Sequence, residues 1–265
     1  MAGETTNNTI LRTKLHRPPA PGDYVHRARL SEYLDQQLER PLTLVSAPAG
    51  YGKSTLVSCW LDSCDRPSTW ISLDENDNDL RQFLSYFLAA VETVFPNSVK
   101  ETMILVNAPT LPPLSTLVGT LANELDMIEQ DFILVLDDMH TIREKSVYLF
   151  LTDLLRHPPR PMHLVLIGRQ DPLLNIAALR ARSQLAEIRL QDLRFTEDSV
   201  LKEAMKALRE EEQGHHWKVE KILAGLGFSS EDMQRHPGAF SGGYQVRLNL
   251  AKVLASEPDL LLLDE

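Results

Sequence analysis

Residues 47–55, which read APAGYGKST, have the residue types and spacing of a loop that binds phosphate. Gly50 and Gly52 let the backbone turn sharply and approach phosphate oxygens, because glycine has no Cβ. Successive amides and the N-terminus of a following helix then favour an anion. Lys53 is expected to reach the β- and γ-phosphates, and the Ser54 hydroxyl to bind Mg²⁺. The alternative is a glycine turn with an exposed lysine. The predicted nucleotide-binding residues are Ala47, Pro48, Ala49, Gly50, Tyr51, Gly52, Lys53, Ser54 and Thr55.

Two carboxylates, Asp137 and Asp138, follow the apolar run FILVL. Asp137 is expected to hold Mg²⁺ through water, because this ion keeps much of its hydration shell. Asp138 is expected to polarise the water that attacks the γ-phosphate. Two carboxylates after a strand are by themselves more often a solvated strand end. The phosphate loop upstream favours the functional interpretation, with Ser54 and Asp137 as metal ligands and Asp138 as a catalytic residue.

Arg169 follows a third apolar run, in the sequence LVLIGRQDP. An arginine at the carboxyl end of a central strand can neutralise the γ-phosphate, so we predict a catalytic role for Arg169 beside Lys53. The alternative is a surface arginine that precedes a turn proline.

The elements that must position these residues follow from the hydrophobic pattern. Short apolar runs predict strands at LTLVSA, TWISL, FILVL, HLVLIG and AEIRL. Helical spacing predicts helices at RARLSEYLDQQLE, KSTLVSCWLDSC, LRQFLSYFLAAVETVF, PLSTLVGTLANELDMI, SVYLFLTDLLRH and NIAALRARSQ, the third capped by Asp79. This alternation predicts an α/β fold in which helices cover both faces of a mainly parallel sheet. After Thr196 the pattern predicts a charged helix at EDSVLKEAMKALREEEQ, two further helices at HHWKVEKILAGLGF and SGGYQVRLNLAKVLAS, and DLLLLDE as the one strand. The acidic turn DENDND lacks the pattern of a calcium loop and is predicted to be solvated.

Composition limits the environment and the partners. With 43% hydrophobic and 24% charged residues, the 265-residue chain can bury a sizeable core. The formal charge of −10 argues against direct nucleic-acid binding through a broad basic surface. No apolar run approaches the roughly 20 residues of a membrane helix, and no secretory signal is evident. Together with two cysteines that form no framework, these features predict a cytoplasmic protein without membrane contact.

Residues from about 10 to 196 resemble the ATPase domain of STAND-class regulators, the maltose-activator-like branch with LuxR-type DNA-binding tails. The matching segments are TKLHRPP, RARLSEYL, LVSAPAGYGKSTL, WISLDENDND, LVLDDMHTI, LVLIGRQDPLL and LRARSQLAEIRLQDLRFT. The resemblance implies a P-loop sheet ordered 5-1-4-3-2 and an ATP/ADP switch with Mg²⁺. It also implies that Val25 and Arg27 lie near the adenine. Gly168-Arg169 departs from the Ser-Arg pair that is frequent in the family. The residues alone favour neither ATP nor GTP.

The end of the chain resembles the class F proteins of the ABC ATPase superfamily. FSGGYQ is similar to the ABC signature loop, and VRLNLAKVLASEPDLLLLDE continues as that family does. The resemblance implies that Asp264 binds magnesium and Glu265 is the general base. The implied second half-site comprises Ser241, Gly242, Gly243, Gln245, Asp264 and Glu265. The predicted domains are therefore a STAND-type ATPase domain at 1–196, a helical seam at 197–211 and a truncated ABC-like segment at 212–265, as in a join between two families.

Three functions remain open at this point. The leading hypothesis is a Mg·ATP-binding P-loop NTPase with slow or conditional hydrolysis, the switch module of a STAND-type regulator without its sensor and DNA-binding parts. The second is a ribosome-associated ABC class F ATPase. The third is a non-catalytic nucleotide-binding fusion or scaffold. The expected partners are ATP or ADP and a second copy of the chain, through ATP-dependent or tail-mediated self-association.

Overall fold

The computed structural model of the chain describes residues 10–19, 27–193, 216–229, 232 and 242–255. The chain divides into two compact units, residues 1–193 and 194–265. The predicted boundaries at 196 and 211 fall outside the described residues, so that division of the chain stays a prediction. The charged helix before Gln213 and the strand at DLLLLDE lie outside them too.

A five-stranded parallel sheet forms the centre of the first unit. Its order is β2-β3-β4-β1-β5, which is the predicted order read from the opposite edge. Because all strands run the same way, their carboxyl ends meet at one edge, which we call the phosphate edge. The strands are β1 (Leu42–Ser46), β2 (Ser68–Ser72), β3 (Phe132–Asp137), β4 (Met162–Gly168) and β5 (Leu185–Arg189). The predicted fold class is confirmed.

Helices connect these strands and cover both faces of the sheet. They are α1 (Ala28–Gln36), α2 (Lys53–Ser63), α3 (Leu80–Val94), α4 (Lys100–Asn107), α5 (Leu114–Asp126), α6 (Lys145–Arg156) and α7 (Ile176–Ala181). The sequence pattern predicted each of them except α4. Short 3-10 turns lie at Arg12–Leu15, Glu75–Asp77 and Met139–Thr141.

Alternate residues of each strand enter two separate apolar clusters. In β3, Phe132, Leu134 and Leu136 pack into the cluster that α3 to α6 cover. Ile133 and Val135 pack into the cluster that α1 and α2 cover. Burial on both faces explains why these strands are almost continuously apolar rather than alternating with polar residues.

The acidic turn after β2 is partly buried, so the prediction that DENDND is solvated was wrong. Asp77 is completely inaccessible to solvent. The Lys14 ammonium donates to both of its carboxylate oxygens, at 3.0 and 2.8 Å, and pairs with Asp74 at 2.8 Å. The same ammonium lies 4.9 Å from the centroid of the Tyr86 ring. The carboxylate can be buried because a cation from the N-terminal segment compensates its charge.

The second unit contains α8 (His216–Gly225) and α9 (Gly242–Ala255). Both helices were predicted from helical spacing. Gly227, with φ +87°, allows the chain to turn after α8. The ring of Phe228 then meets Tyr244 of α9 edge to face, with centroids 5.2 Å apart.

Candidate nucleotide-binding site

The loop between β1 and α2 has the backbone geometry of a phosphate cradle. Gly50 and Gly52 adopt φ angles of +82° and +67°, the left-handed region that glycine adopts without strain. Gly52 is the N-cap of α2 and offers no side chain to bond the first-turn amides. These amides and the partial positive charge of the helix N-terminus therefore face the phosphate edge.

The remaining residues of the loop support this geometry. Ala47, in place of the usual first glycine, is buried and belongs to the apolar cluster under the loop. Tyr51 packs against the same cluster, while Pro48 and Ala49 are exposed and Thr55 is half-buried. A methyl group at position 47 thus packs into the core and does not enter the space above the loop.

Lys53 lies over the phosphate loop. Its ammonium donates to the carbonyl oxygen of Pro48 at 2.9 Å. Partial burial lowers the pKa of Lys53, and the nearby carboxylate of Asp137 opposes that shift. Because this ammonium has lost part of its hydration, a phosphate oxygen can replace its remaining water at low cost.

Ser54 and Asp137 form a pair of oxygens suited to Mg²⁺. Ser54 Oγ donates to Asp137 Oδ1 over 3.1 Å. Adjacent ligands of an octahedral Mg²⁺, each about 2.1 Å from the ion, lie about 3 Å apart, so both oxygens fit one ion. Burial raises the pKa of Asp137 to about 6, although the Ser54 hydroxyl lowers it. A cation is therefore the natural partner of this carboxylate. Among the described residues, no group of three or more His, Cys, Asp or Glu side chains could hold a metal ion.

Asp138 begins the loop that follows β3 and adopts φ +56°. Its side chain is half exposed, and its carbonyl oxygen accepts bonds from the amide and hydroxyl of Thr141, both at 2.9 Å. Asn78 fixes the same loop from the other side. Its amide donates to the Thr141 carbonyl at 2.9 Å, and its Oδ1 accepts from the amides of Arg143 and Glu144 at 2.6 and 3.1 Å.

His140 also belongs to this site, and the sequence analysis missed it. Its Nδ1 lies 3.7 Å from Asp138 Oδ1, too far for a hydrogen bond. Burial lowers the pKa of His140, and the positive charges of Arg169 and Lys53 lower it further. The available signal was its place two residues after Asp138, which a 3-10 turn directs back toward the phosphate edge.

Arg169 follows β4 at the phosphate edge and is exposed. The positive charge of Arg169 contributes to the lowered pKa of both Lys53 and His140. Arg169 is therefore close enough to interact electrostatically with these two residues. Gly168, which precedes it, accepts a bond from the amide of Ala47 at 3.3 Å. A Cβ at Gly168 would lie 3.1 Å from the Gln170 carbonyl oxygen, so glycine instead of serine suits this tight turn.

The residues predicted near the adenine are only partly described. The Arg27 guanidinium lies beside the phosphate loop, 3.7 Å from where a Cβ on Gly52 would stand. Val25 lies outside the described residues. The structure thus brings Arg27 to the loop that Lys53 and Ser54 follow.

The implied second half-site is described only in part. Gly242, Gly243 and Gln245 lie in the first turn of α9, with both glycines exposed. Ser241, Asp264 and Glu265 lie outside the described residues. The ABC-like assignment of this segment stays a prediction.

The comparisons with known proteins concern the first unit. A family model described as an AAA ATPase domain matches residues 25–167. The HTH-type transcriptional regulator MalT of Klebsiella pneumoniae is 37% identical over 187 residues, which cover 71% of this chain and 21% of that protein. MalT of Yersinia pestis is 35% identical over 187 residues, 70% of this chain and 20% of its own length. The chain therefore spans about a fifth of these relatives.

Among solved structures, Cdc6p of Pyrobaculum aerophilum is 15% identical with a TM-score of 0.49, covering 94% of this chain and 66% of that one. A Walker-type ATPase of Pyrococcus abyssi is 16% identical with a TM-score of 0.44, covering 90% and 75%. Within the described ranges, no helix of this chain is long and apolar enough to cross a membrane.

Proposed function

Because the chain belongs to the AAA ATPase domain family, with more than half of its residues in the match, we propose that its first unit is a nucleotide switch that binds Mg·ATP and hydrolyses it slowly. The observation that carries the proposal is the pair of Ser54 and Asp137 oxygens, 3.1 Å apart, directly beside the phosphate loop. This spacing fits two neighbouring ligands of one Mg²⁺.

Each residue of the site has a role in binding or orienting the nucleotide. The loop amides and Lys53 would hold the β- and γ-phosphates, and Ser54 and Asp137 would hold the metal as neighbouring ligands. Arg169 meets the γ-phosphate from β4. When bound, Mg²⁺ offsets the negative charge that develops on the phosphates during in-line attack by water. Asp138 orients that water.

The environment of Asp138 supports slow hydrolysis. Its carboxylate is about half exposed, and no described residue donates a hydrogen bond to it. A carboxylate that no described donor holds is not fixed in one orientation, and this makes it a poorly positioned general base. A rate that rises when the loop is ordered is the behaviour expected of a switch.

The proposed biological role rests on the likeness to the relatives named MalT. They are HTH-type transcriptional regulators, and this chain matches about a fifth of their length. We propose that the first unit serves as the STAND-type switch module of such a regulator, with ATP-dependent self-association as its output. Adenine as the base also rests on this likeness.

The second unit has its own candidate function. Helix α9 begins directly at the glycines of the SGGYQ segment, where an ABC signature helix would begin. This observation favours a class F ABC contribution, in which the segment binds ATP held by a second copy. Substitution of Ser241→Arg should then abolish ATP-dependent dimerisation measured by analytical ultracentrifugation. Dimerisation that survives the substitution, or a wild-type chain that stays monomeric with ATP, argues against this function.

Titration calorimetry of the full chain with Mg·ATP tests the nucleotide site. Lys53→Ala should weaken binding about 10- to 100-fold, the contribution of a hydrogen bond between charged groups. Lys100→Ala is the matched control, because Lys100 is also the first residue of a helix and is exposed. Equal affinity for Mg·ATP in the two variants would mean that the phosphate loop does not bind the nucleotide. Phosphate release by the wild-type chain separates slow hydrolysis from a non-catalytic scaffold.

A further inference from the structure

The loop that carries Arg169 leads from β4 to α7, and an ion pair links it to β5, the strand on the other side of β1. At the phosphate edge, Ser46 of β1 is paired in register with Gly168 of β4 on one side and with Arg189 of β5 on the other. Asp171, two residues after Arg169, forms an ion pair with the Arg189 guanidinium. The loop therefore passes over the end of β1, directly before the phosphate loop begins.

Arg189 is held in place to receive Asp171. Its Nε donates to Glu187 Oε1 at 2.9 Å, so the guanidinium is fixed along its own strand. Its backbone amide donates to the Asp192 carboxylate at 2.8 Å, which closes the turn after β5. Glu187 is in turn held by Arg180, with an Nε–Oε2 distance of 2.6 Å. The planar fork of arginine lets it bond Glu187 and Asp171 together.

Arg169 consequently lies between two fixed points. On one side, Gly168 is the last residue of β4, and its carbonyl oxygen is bonded to the Ala47 amide. On the other side, the Asp171 carboxylate is bound to Arg189 and accepts a hydrogen bond from the Ser46 hydroxyl. These two interactions hold the pKa of Asp171 below its usual value. Only Gln170 separates Arg169 from the second point, so the place of Asp171 decides where the Arg169 backbone lies.

The ion pair is too exposed to contribute much to folding. The side chains of Asp171 and Arg189 are 49% and 26% accessible. Pairs at such positions contribute about 0 to 1 kcal/mol to stability. Loss of the pair should therefore shift the Arg169 loop without unfolding the unit, and this separates a positioning role from a structural one.

We propose that Asp171, through its ion pair with Arg189, is a positioning residue that holds Arg169 against the γ-phosphate and so sets the preference of the site for a nucleoside triphosphate over a diphosphate. This inference rests on the proposed nucleotide-binding function. It assigns the specificity of the site to an acidic residue that touches no nucleotide.

The test measures the dissociation constants of Mg·ATP and Mg·ADP for the full chain and its variants. Asp171→Asn should reduce the preference for ATP by about 3- to 10-fold, a fraction of what a charged hydrogen bond to phosphate contributes. ADP affinity and the thermal midpoint should stay at their wild-type values. Asp171→Glu should restore the preference, because a carboxylate can still reach Arg189. Asp153→Asn is the control, since it removes an exposed ion pair, with Arg156, that lies outside this network.

The Arg169→Ala variant tests whether Asp171 affects the ATP preference through Arg169. It should lose the ATP preference at least as strongly as Asp171→Asn, and the double variant should lose no more than Arg169→Ala alone. The inference is overturned if Asp171→Asn keeps the preference, if it weakens ATP and ADP equally, or if Arg169→Ala leaves the preference unchanged. A wild-type chain that binds neither nucleotide overturns the proposed function itself, so the two failures are distinguishable.

Discussion

Ser54 Oγ and Asp137 Oδ1 lie 3.1 Å apart although 83 positions separate the two residues along the chain. The first lies in the first turn of α2, which follows β1, and the second ends β3, with β4 between these strands in the sheet. The parallel order of the strands thus assembles the proposed metal site from two segments that do not pair with each other.

Removal of either oxygen should uncouple nucleotide binding from magnesium. Ser54→Ala and Asp137→Asn should each reduce the gain in ATP affinity on adding Mg²⁺ by at least about tenfold, a typical cost of losing a group that orients a metal. Binding in the presence of a chelator should change little, because Lys53 and the loop amides remain. Calorimetry with Mg²⁺ and with chelator measures both quantities.

Asp131→Asn is the matched control for Asp137→Asn. Asp131 precedes the same strand at its opposite end, where it pairs with Arg66 at 3.1 Å. An equal loss of the magnesium effect in this control would mean that the response comes from general charge and not from the Ser54–Asp137 site.

Substitution of Asp138→Asn should separate binding from hydrolysis. Asparagine tolerates the left-handed conformation of this residue, so the loop should keep its shape. Without the carboxylate, the attacking water is no longer oriented, and phosphate release should fall about tenfold, less than the loss expected for a well-positioned base. Mg·ATP affinity should remain within a few-fold of the wild-type value. Hydrolysis at the wild-type rate would mean that another group orients the attacking water. His140 is the nearest candidate by its place in the loop.

Asp77→Ala should destabilise the first unit by about 3 kcal/mol, because it breaks a buried ion pair and leaves Lys14 with Asp74 alone. Urea unfolding at neutral pH measures the change. The control is Asp79→Ala, two residues later, which removes the helix cap that accepts from the Gln82 amide at 2.9 Å. That loss should be about 1 kcal/mol. Equal effects would show that Asp77 acts only as a turn residue.

Acid should destabilise the first unit through His163. Its Nδ1 lies 2.6 Å from the Arg40 carbonyl oxygen and must donate to it, and its Nε2 lies 2.9 Å from the Thr43 hydroxyl. Burial lowers the pKa of His163 to about 4 from its ordinary value of 6.5. Between these values the unfolded chain binds the proton and the folded chain does not, so stability falls as the pH falls from about 6.5 to about 4.

The His163→Gln variant isolates this contribution. It removes the titrating group, so its stability should fall less than that of the wild type on going from pH 7 to pH 4, by up to about 3 kcal/mol. Urea unfolding at a series of pH values gives both profiles. The carboxylates titrate in both chains and cancel in the difference. Parallel profiles would mean that His163 is protonated without cost in the folded state.

The sheet and most of its helices could be predicted because their signals are local. The strands are short apolar runs, and the glycines of the phosphate loop indicate a turn between β1 and α2. Asp79 was recognised as a cap from its place before an apolar helical pattern, and its side chain does bond the Gln82 amide. The strand order came from family resemblance, since periodicity carries no information about neighbours.

The features that could not be predicted depend on distant partners. Helix α4 is short, and the Glu124 carboxylate of α5 bonds its first-turn amides at Glu101 and Thr102, at 2.7 and 3.0 Å. Burial of Asp77 depends in the same way on Lys14, 63 positions away. His140 enters the site only because a 3-10 turn follows Asp138. No local pattern encodes these long-range contacts.

Asn78 gives the molecule a mechanical connection between two parts of the chain. Its side chain bonds three backbone groups of the loop after β3, and its neighbour Asp77 is bound to Lys14 in the segment before α1. The loop that carries Asp138 can therefore shift only if the turn after β2 shifts with it or these bonds break. A displacement that begins where the terminal phosphate leaves would thus reach Lys14 in the turn beside β2, an edge strand of the sheet, without any helix or strand having to be rebuilt.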